Sequence, residues 1–164
     1  MIGRLCDFLR GSLNADPTED VPLCQEIDAI DAYLSIEATR FGERLHIDID
    51  VAPDTADAAV PNFILQPFVE NAIKHGVSLA KGPAHVTVAA AREDGDLVLT
   101  VTNSADAGGQ AAAARLPSRH STSIGISNTR ERLRNRYGDR GKLIAAPTHG
   151  GYRAVVRFPF TTVR

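Results

Sequence analysis

The stretch LQPFVENAIKHG, residues 65–76, sets an apolar face against four polar groups of different chemistry. Leu65, Phe68, Val69, Ala72 and Ile73 recur at helical spacing, so the segment predicts a helix over about 61–75 seated on a core. Gly76 is its expected C-terminal stop. Glu70, Asn71, Lys74 and His75 add a carboxylate, a carboxamide, an ammonium and an imidazole. Two plain readings cover part of this set. Glu70 and Lys74, at i and i+4, can form a surface ion pair. Lys74 and His75 in the last turn also complement the helix dipole. Neither reading explains Asn71, a mediocre helix former inside a helix.

Outward from this helix the pattern alternates between sheet and helix. HVTVAAAREDGDLVLTVTN reads as a hairpin turning at Glu93-Asp94-Gly95-Asp96. Residues 104–122 are rich in Ala, Gly and Ser and lack periodicity, so a long mobile loop is expected there. IGISNTRERLRNRYG returns to helical spacing, with Ile126, Leu133 and Tyr137 inward, and a last hairpin runs from KLIAAP through THGG to YRAVVRFPF. On the N-terminal side, Ile27, Ile30, Leu34 and Phe41 mark a helix from Pro22 to a stop at Gly42. RLHIDIDV then alternates, turning Leu45, Ile47, Ile49 and Val51 to one face. His46, Asp48 and Asp50 face the other way, as solvated strand positions rather than a metal site. Leu5, Phe8, Leu9 and Leu13 predict an amphipathic helix over residues 2–13, beginning as if cut into a longer one.

Composition narrows the classes. With 164 residues the chain can form one domain and a short appendage, and a net charge of -2 gives no field that would gather nucleic acid. The absence of Trp weakens a base-stacking surface. No apolar run is long enough to cross a bilayer, and Asp7 interrupts the apolar start. Cys6 and Cys24 lack metal or disulfide spacing, which suits a reduced, cytoplasmic protein.

The chemistry of the opening helix points to a bound nucleotide. An amide oxygen can enter a hard divalent cation's shell while a neighbouring ammonium meets phosphate. The helix opening at Ile124-Gly125-Ile126 offers free N–H groups to an anion, although an ordinary start capped by Ser123 fits equally well. Arg130, Arg132, Arg134 and Arg136 divide between two faces and alternate with Glu131 and Asn135, which reads as a solvated helix with internal charge pairs. The common phosphate loops, GxxxxGK[ST] and GxGxxG, are absent.

In order, LQPFVENAIKHG, a hairpin ending LTVTNS, a loose loop, STSIGISNTRERLRNRYG and a closing GGYRAVVRFPF resemble the ATP-binding domain of the LytS-type sensor histidine kinases. VPLCQEIDAIDAYLSIEATRF resembles the segment leading into it, so the likeness covers nearly the whole chain. It implies a Bergerat-type α/β two-layer sandwich, a mixed and mostly antiparallel sheet with helices on one face, preceded by an N-terminal helical segment. Residues 1–20 would be the end of a dimerisation helix and a linker, and residues 21–164 the catalytic domain. The implied activity is transfer of the γ-phosphoryl of Mg-ATP to a histidine on a dimerisation domain that this chain lacks. Asn71 would hold Mg²⁺, Lys74 and His75 would reach the phosphates, and Glu70 would polarise the reacting group or steady Lys74. Asn103 would accept the adenine amino group, and Ser123, Gly125 and Ile126 would form the second glycine box. Implied partners are the phosphoacceptor domain, a response regulator and a second copy in the full-length protein. Neither nucleic acid nor membrane contact is expected of this segment, whose whole protein is cytoplasmic or anchored at the inner membrane.

Three departures bear on this. Asn103, Ala105 and Ala107 stand where an Asp-x-Gly-x-Gly box would read Asp, Gly, Gly, and Asn keeps an acceptor oxygen. A Gly-x-Gly-x-Gly box would fall on Ser121, Ser123 and Gly125, of which the last alone is Gly. His46, His75, His85, His120 and His149 all lie outside a Pro-His-Phe phosphoacceptor context. The rival reading is a degenerate ATP-binding fold kept as an interaction module. A non-kinase ATPase of the same fold is the weaker third, since Glu70 directly precedes Asn71.

Overall fold

The computed structural model describes residues 19–105, 122–148 and 150–163, with the backbone alone for 122–124. The expected helix over 2–13, most of the 104–122 loop, Ser121 and His149 lie outside the described residues. In chain order the elements are β1 (Asp20–Pro22), α1 (Leu23–Phe41), β2 (Leu45–Val51), β3 (Ala59–Pro61), α2 (Gln66–Asn71), β4 (Ala84–Glu93), β5 (Asp96–Ala105), α3 (Thr122–Tyr137), β6 (Lys142–Thr148) and β7 (Gly151–Pro159).

Alternation along the central hairpin builds the main sheet. β4 buries Ala84, Val86, Val88 and Ala90, while β5 buries Leu97, Leu99, Val101 and Asn103. Asp94 and Gly95 connect them with φ of 51° and 85°, the left-handed pair that matches strand twist in a two-residue turn. The five strands run in the order β2-β4-β5-β7-β6. β2 lies parallel to β4, and every other pairing is antiparallel, so the sheet is mixed. The three helices bury the face that carries Val86, Leu99, Ala154 and Phe158, in one core with Ile30, Leu34, Phe68, Val69 and Leu133. His46, Asp48 and Asp50 are exposed, and the His46 ring stacks on His85 of β4 at 4.7 Å.

α1 ends at Gly42, whose φ of 59° suits a residue without Cβ. The helix expected over 61–75 is shorter. Ala59–Pro61 is a strand paired with β1, the chain turns at 62–65, and α2 covers Gln66–Asn71 only. The next residues, Ala72–Gly76, form one π-helical turn, and Val77–Leu79 a 3₁₀ turn. Gly76 is therefore no helix stop; its φ of -97° is open to any residue.

The arginine-rich helix α3 is also tied down more than expected. Arg132 donates to the Asn62 carbonyl at 2.7 Å, and Arg136 pairs with Asp20, so both charges reach other elements.

Leu99 is fully buried on the middle strand, where truncation leaves a cavity that rigid neighbours cannot fill. Leu99→Ala should lower stability by about 2–5 kcal/mol, read as an earlier thermal unfolding transition.

Candidate functional site

α2 and the π-turn carry Glu70, Asn71, Lys74 and His75 along one continuous segment. Its buried side, Phe68, Val69, Ala72 and Ile73, sits on the sheet, so the polar set is turned to the surface. Asn71 and His75 are half-buried, and Glu70 and Lys74 are exposed. A π-turn inserts one extra residue into a helical turn, and such turns recur at functional sites. Here it closes through Val77, whose N–H bonds the carbonyls of Ala72 and Ile73. The far end is held by Arg44, which donates to the Ala80 carbonyl at 2.5 Å.

Asn103 meets this segment at Gly76. A Cβ placed on Gly76 would lie 2.0 Å from the Asn103 Nδ2, which puts the carboxamide against bare backbone. On its other flank, a Cβ on Gly151 would lie 1.8 Å from the Asn103 carbonyl oxygen. Asn103 thus ends a row of inward apolar residues on β5, wedged between two glycines and 7% exposed. With Nδ2 toward Gly76, the Oδ1 is turned away from it.

The other residues singled out in the sequence divide. Glu70 accepts a hydrogen bond from Gln66 Nε2 at 2.7 Å, and no ion pair joins it to Lys74. Its charge is felt by Tyr33 of α1, whose hydroxyl is pushed up to about 12 by burial first and then by Glu37 and Glu70. Gly125 and Ile126 are half-buried in the first part of α3. A Cβ on Gly125 would come within 3.4 Å of Pro67, so α3 leans on the start of α2, away from the π-turn. Ser123 falls in the first turn of α3, and its side chain lies outside the described residues.

The His75 imidazole is held below its ordinary value of 6.5, by burial first and then by the Lys74 ammonium, so it is neutral at pH 7. A cavity of about 460 Å³ lies beside this segment, lined by Phe63, Pro67, Gly125, Asn128 and Arg132 among others. Asn71, Lys74, His75 and Asn103 do not line it; it belongs to the joint between α2 and α3.

Two residues at that joint do not follow from the sequence reading: Glu26 is not singled out there, and Arg132 is taken as a solvated charge. Glu26 of α1 is 4% exposed and accepts the N–H groups of Phe63 at 2.6 Å and Leu65 at 3.3 Å. Arg132 holds the preceding carbonyl from α3. The signal for Glu26 was present: Leu23, Glu26, Ile30 and Leu34 share one helix face, a carboxylate inside an apolar stripe.

Comparison with known proteins now bears on this geometry. A family of histidine kinases, described as "Histidine kinase", matches residues 1–45. The sensor histidine kinase BtsS of Escherichia coli (strain K12) is 34% identical over 161 residues, which is 98% of this chain and 27% of that protein. The chain is a relative of the sensor histidine kinases. The sensor protein LytS of Bacillus subtilis (strain 168) is 25% identical over 167 residues, 98% of this chain and 28% of that protein. The chain thus spans about a quarter of the length of these curated relatives. The catalytic domain of histidine kinase ThkA, in a nucleotide-free form, superposes with a TM-score of 0.60 at 13% identity, covering 88% of this chain and 97% of that one. ThkA in complex with the response regulator TrrA gives a TM-score of 0.61 at 14% identity, over 98% of this chain and 48% of that one. The fold is that of histidine kinase catalytic domains. Among the described residues no helix is long and apolar enough to cross a membrane.

Gly76→Ala should push the Asn103 carboxamide out of its wedge. The expected loss is about 1–3 kcal/mol, as for other overpacked sites, measured by thermal unfolding. A larger set of nuclear magnetic resonance shifts at Asn103 than elsewhere on β5 is the accompanying sign.

Proposed function

We propose that this chain is the ATP-binding catalytic domain of a two-component sensor histidine kinase, passing the γ-phosphoryl of Mg-ATP to a histidine on a dimerisation domain. Residues 1–20 are read as the end of a dimerisation helix and a linker, and residues 21–164 as the catalytic domain. One observation carries the reading: the segment bearing Asn71, Lys74 and His75 is brought by Gly76 against the buried carboxamide of Asn103. A single site can then hold both ends of a nucleotide.

Asn103 has an acceptor oxygen for the adenine amino group, in a place where burial strengthens a hydrogen bond and rejects a base lacking the donor. Lys74, exposed at the rim, supplies a mobile ammonium for the phosphates, and His75 a second contact beside it. The half-buried Asn71 offers one neutral oxygen to a metal. That donor set fits Mg²⁺, which is commonly held by one or two protein oxygens plus substrate phosphates rather than by a full protein cage. Bound Mg²⁺ would neutralise charge on the transferring phosphoryl group. The chain's own residues then act mainly by positioning, since phosphoryl transfer leaves little covalent work to the protein. Glu70 accepts from Gln66 Nε2 and makes no ion pair with Lys74, which supports reading its carboxylate as free to meet a partner domain. We read it as the residue that orients the acceptor rather than as a brace for Lys74. The response regulator is the partner class found with ThkA, and the same class is proposed for the whole protein here.

Calorimetric titration of the parent with Mg-ATP should give measurable binding. Asn71→Ala should fold as the parent and lose about tenfold or more in Mg-dependent affinity, as expected for a lost contact to a charged group. No binding to the folded parent at millimolar Mg-ATP would overturn the reading.

The state of His75 gives a second measurement. Its imidazole is neutral at pH 7, and a triphosphate beside it would raise its pKa toward or above 6.5. Binding should then take up a proton, and affinity should rise as the pH falls toward that value. Titrations in two buffers of different ionisation enthalpy should show uptake that His75→Gln lacks.

A further inference from the structure

The turn that leads into α2 is secured from two other helices. Leu65, at the N-cap position of α2, makes no side-chain cap bond, and its carbonyl accepts from Phe68 at 3.0 Å and Val69 at 3.2 Å. Glu26 of α1 holds the turn just before the helix, accepting from Phe63 N–H at 2.6 Å and from Leu65 N–H at 3.3 Å. Between these bonds Phe63 is held at φ 60°, a conformation that a bulky residue adopts only under constraint. α3 closes the turn from the other side. Arg132 Nη2 donates to the Asn62 carbonyl at 2.7 Å, Gly125 admits Pro67, and Arg136 pairs with Asp20, whose strand partner is Pro61.

Stability alone does not call for such an arrangement. Burial raises the Glu26 carboxyl above its ordinary value, against the pull of the N–H groups and Arg132. Burial likewise lowers the Arg132 guanidinium. Buried opposite charges often cost as much in lost hydration as they return in attraction, whereas their hydrogen bonds fix one geometry.

We propose that Glu26 and Arg132 are positioning residues for the site: by fixing the 62–65 turn from α1 and α3, they set where α2 delivers Asn71, Lys74 and His75 against Asn103. The functional part of this rests on the nucleotide-binding reading; the placement rests on the geometry alone.

Glu26→Gln separates placement from stability. It removes a buried charge but leaves one N–H without an acceptor, so the thermal midpoint is read beside the spectral shifts. A carboxamide has one acceptor oxygen where the carboxylate has two, and its NH₂ must face one of the N–H donors. The first turn of α2 should loosen, shifting the Asn71 side-chain and Lys74 backbone signals in nuclear magnetic resonance spectra. Mg-ATP affinity should fall by about tenfold or more. Arg132→Lys keeps a donor and a charge and should retain most of the affinity that Arg132→Met loses. A folded Glu26→Gln with the parent's signals and affinity overturns the proposal. Should Glu26→Gln fail to fold, the Arg132 pair decides, and equal affinities with unshifted Asn71 signals in both variants overturn it. A parent that binds no nucleotide removes the functional reading instead, and the Asn71 and Lys74 shifts still decide the placement.

Discussion

Backbone against carboxamide, at Gly76 and Asn103, is the contact on which the arrangement of the site depends. A helix packed on a sheet normally stands off by the thickness of two side-chain layers. Here the π-turn brings bare backbone down onto β5, and the missing Cβ of Gly76 is what allows it. The polar set on α2 therefore ends beside the last inward position of β5 rather than a layer above it. A second glycine, Gly151, admits the same residue from β7. The helical turn meets the Asn103 carboxamide, and β7 meets its main-chain carbonyl.

The three helices share a division of labour that follows from their sequences. α1 is long, amphipathic and closed by a left-handed glycine, so it is shaped by local rules. α2 is too short to be stable on its own and depends on tertiary packing and remote partners. α3 is polar on most of its surface, and it earns its place through Leu133 in the core and through arginines that reach the 62–65 turn and β1. The weakest helix is thus the one that carries Asn71, and its geometry is imposed by its neighbours.

This division explains what could be read in the sequence. Both hairpins, the parallel-compatible strand Leu45–Val51 and the end of α1 at Gly42 follow from period-two alternation, turn chemistry and a glycine stop, all of them local signals. The lead-in to α2 did not follow. Its strand Ala59–Pro61 exists because β1 pairs with it, and its turn because Glu26 and Arg132 bond to it, across long separations in the chain. Apolar spacing from Leu65 onward marks a helical segment but not its π-turn, and nothing near it in sequence says that the preceding residues leave the helix. Gly76 was seen as a stop because glycines often are; its actual reason, the carboxamide of Asn103, lies on another element. The residues proposed for the site on α2, and Asn103, stand out by chemistry and family likeness. Glu26 was legible only as an oddity in an apolar stripe.

β2 runs parallel to β4, and strands so paired cannot be joined by a tight turn; residues 52–83 form the crossover between them. β3, the 62–65 turn, α2 and the π-turn all lie on that crossover, so Asn71, Lys74 and His75 belong to a connection rather than to the sheet. A hairpin such as β4–β5 closes early because its ends are neighbours, whereas a crossover closes only after a long loop has given up its freedom. The candidate site is therefore expected to form late in folding, after the antiparallel strands have paired and only once the crossover is fastened.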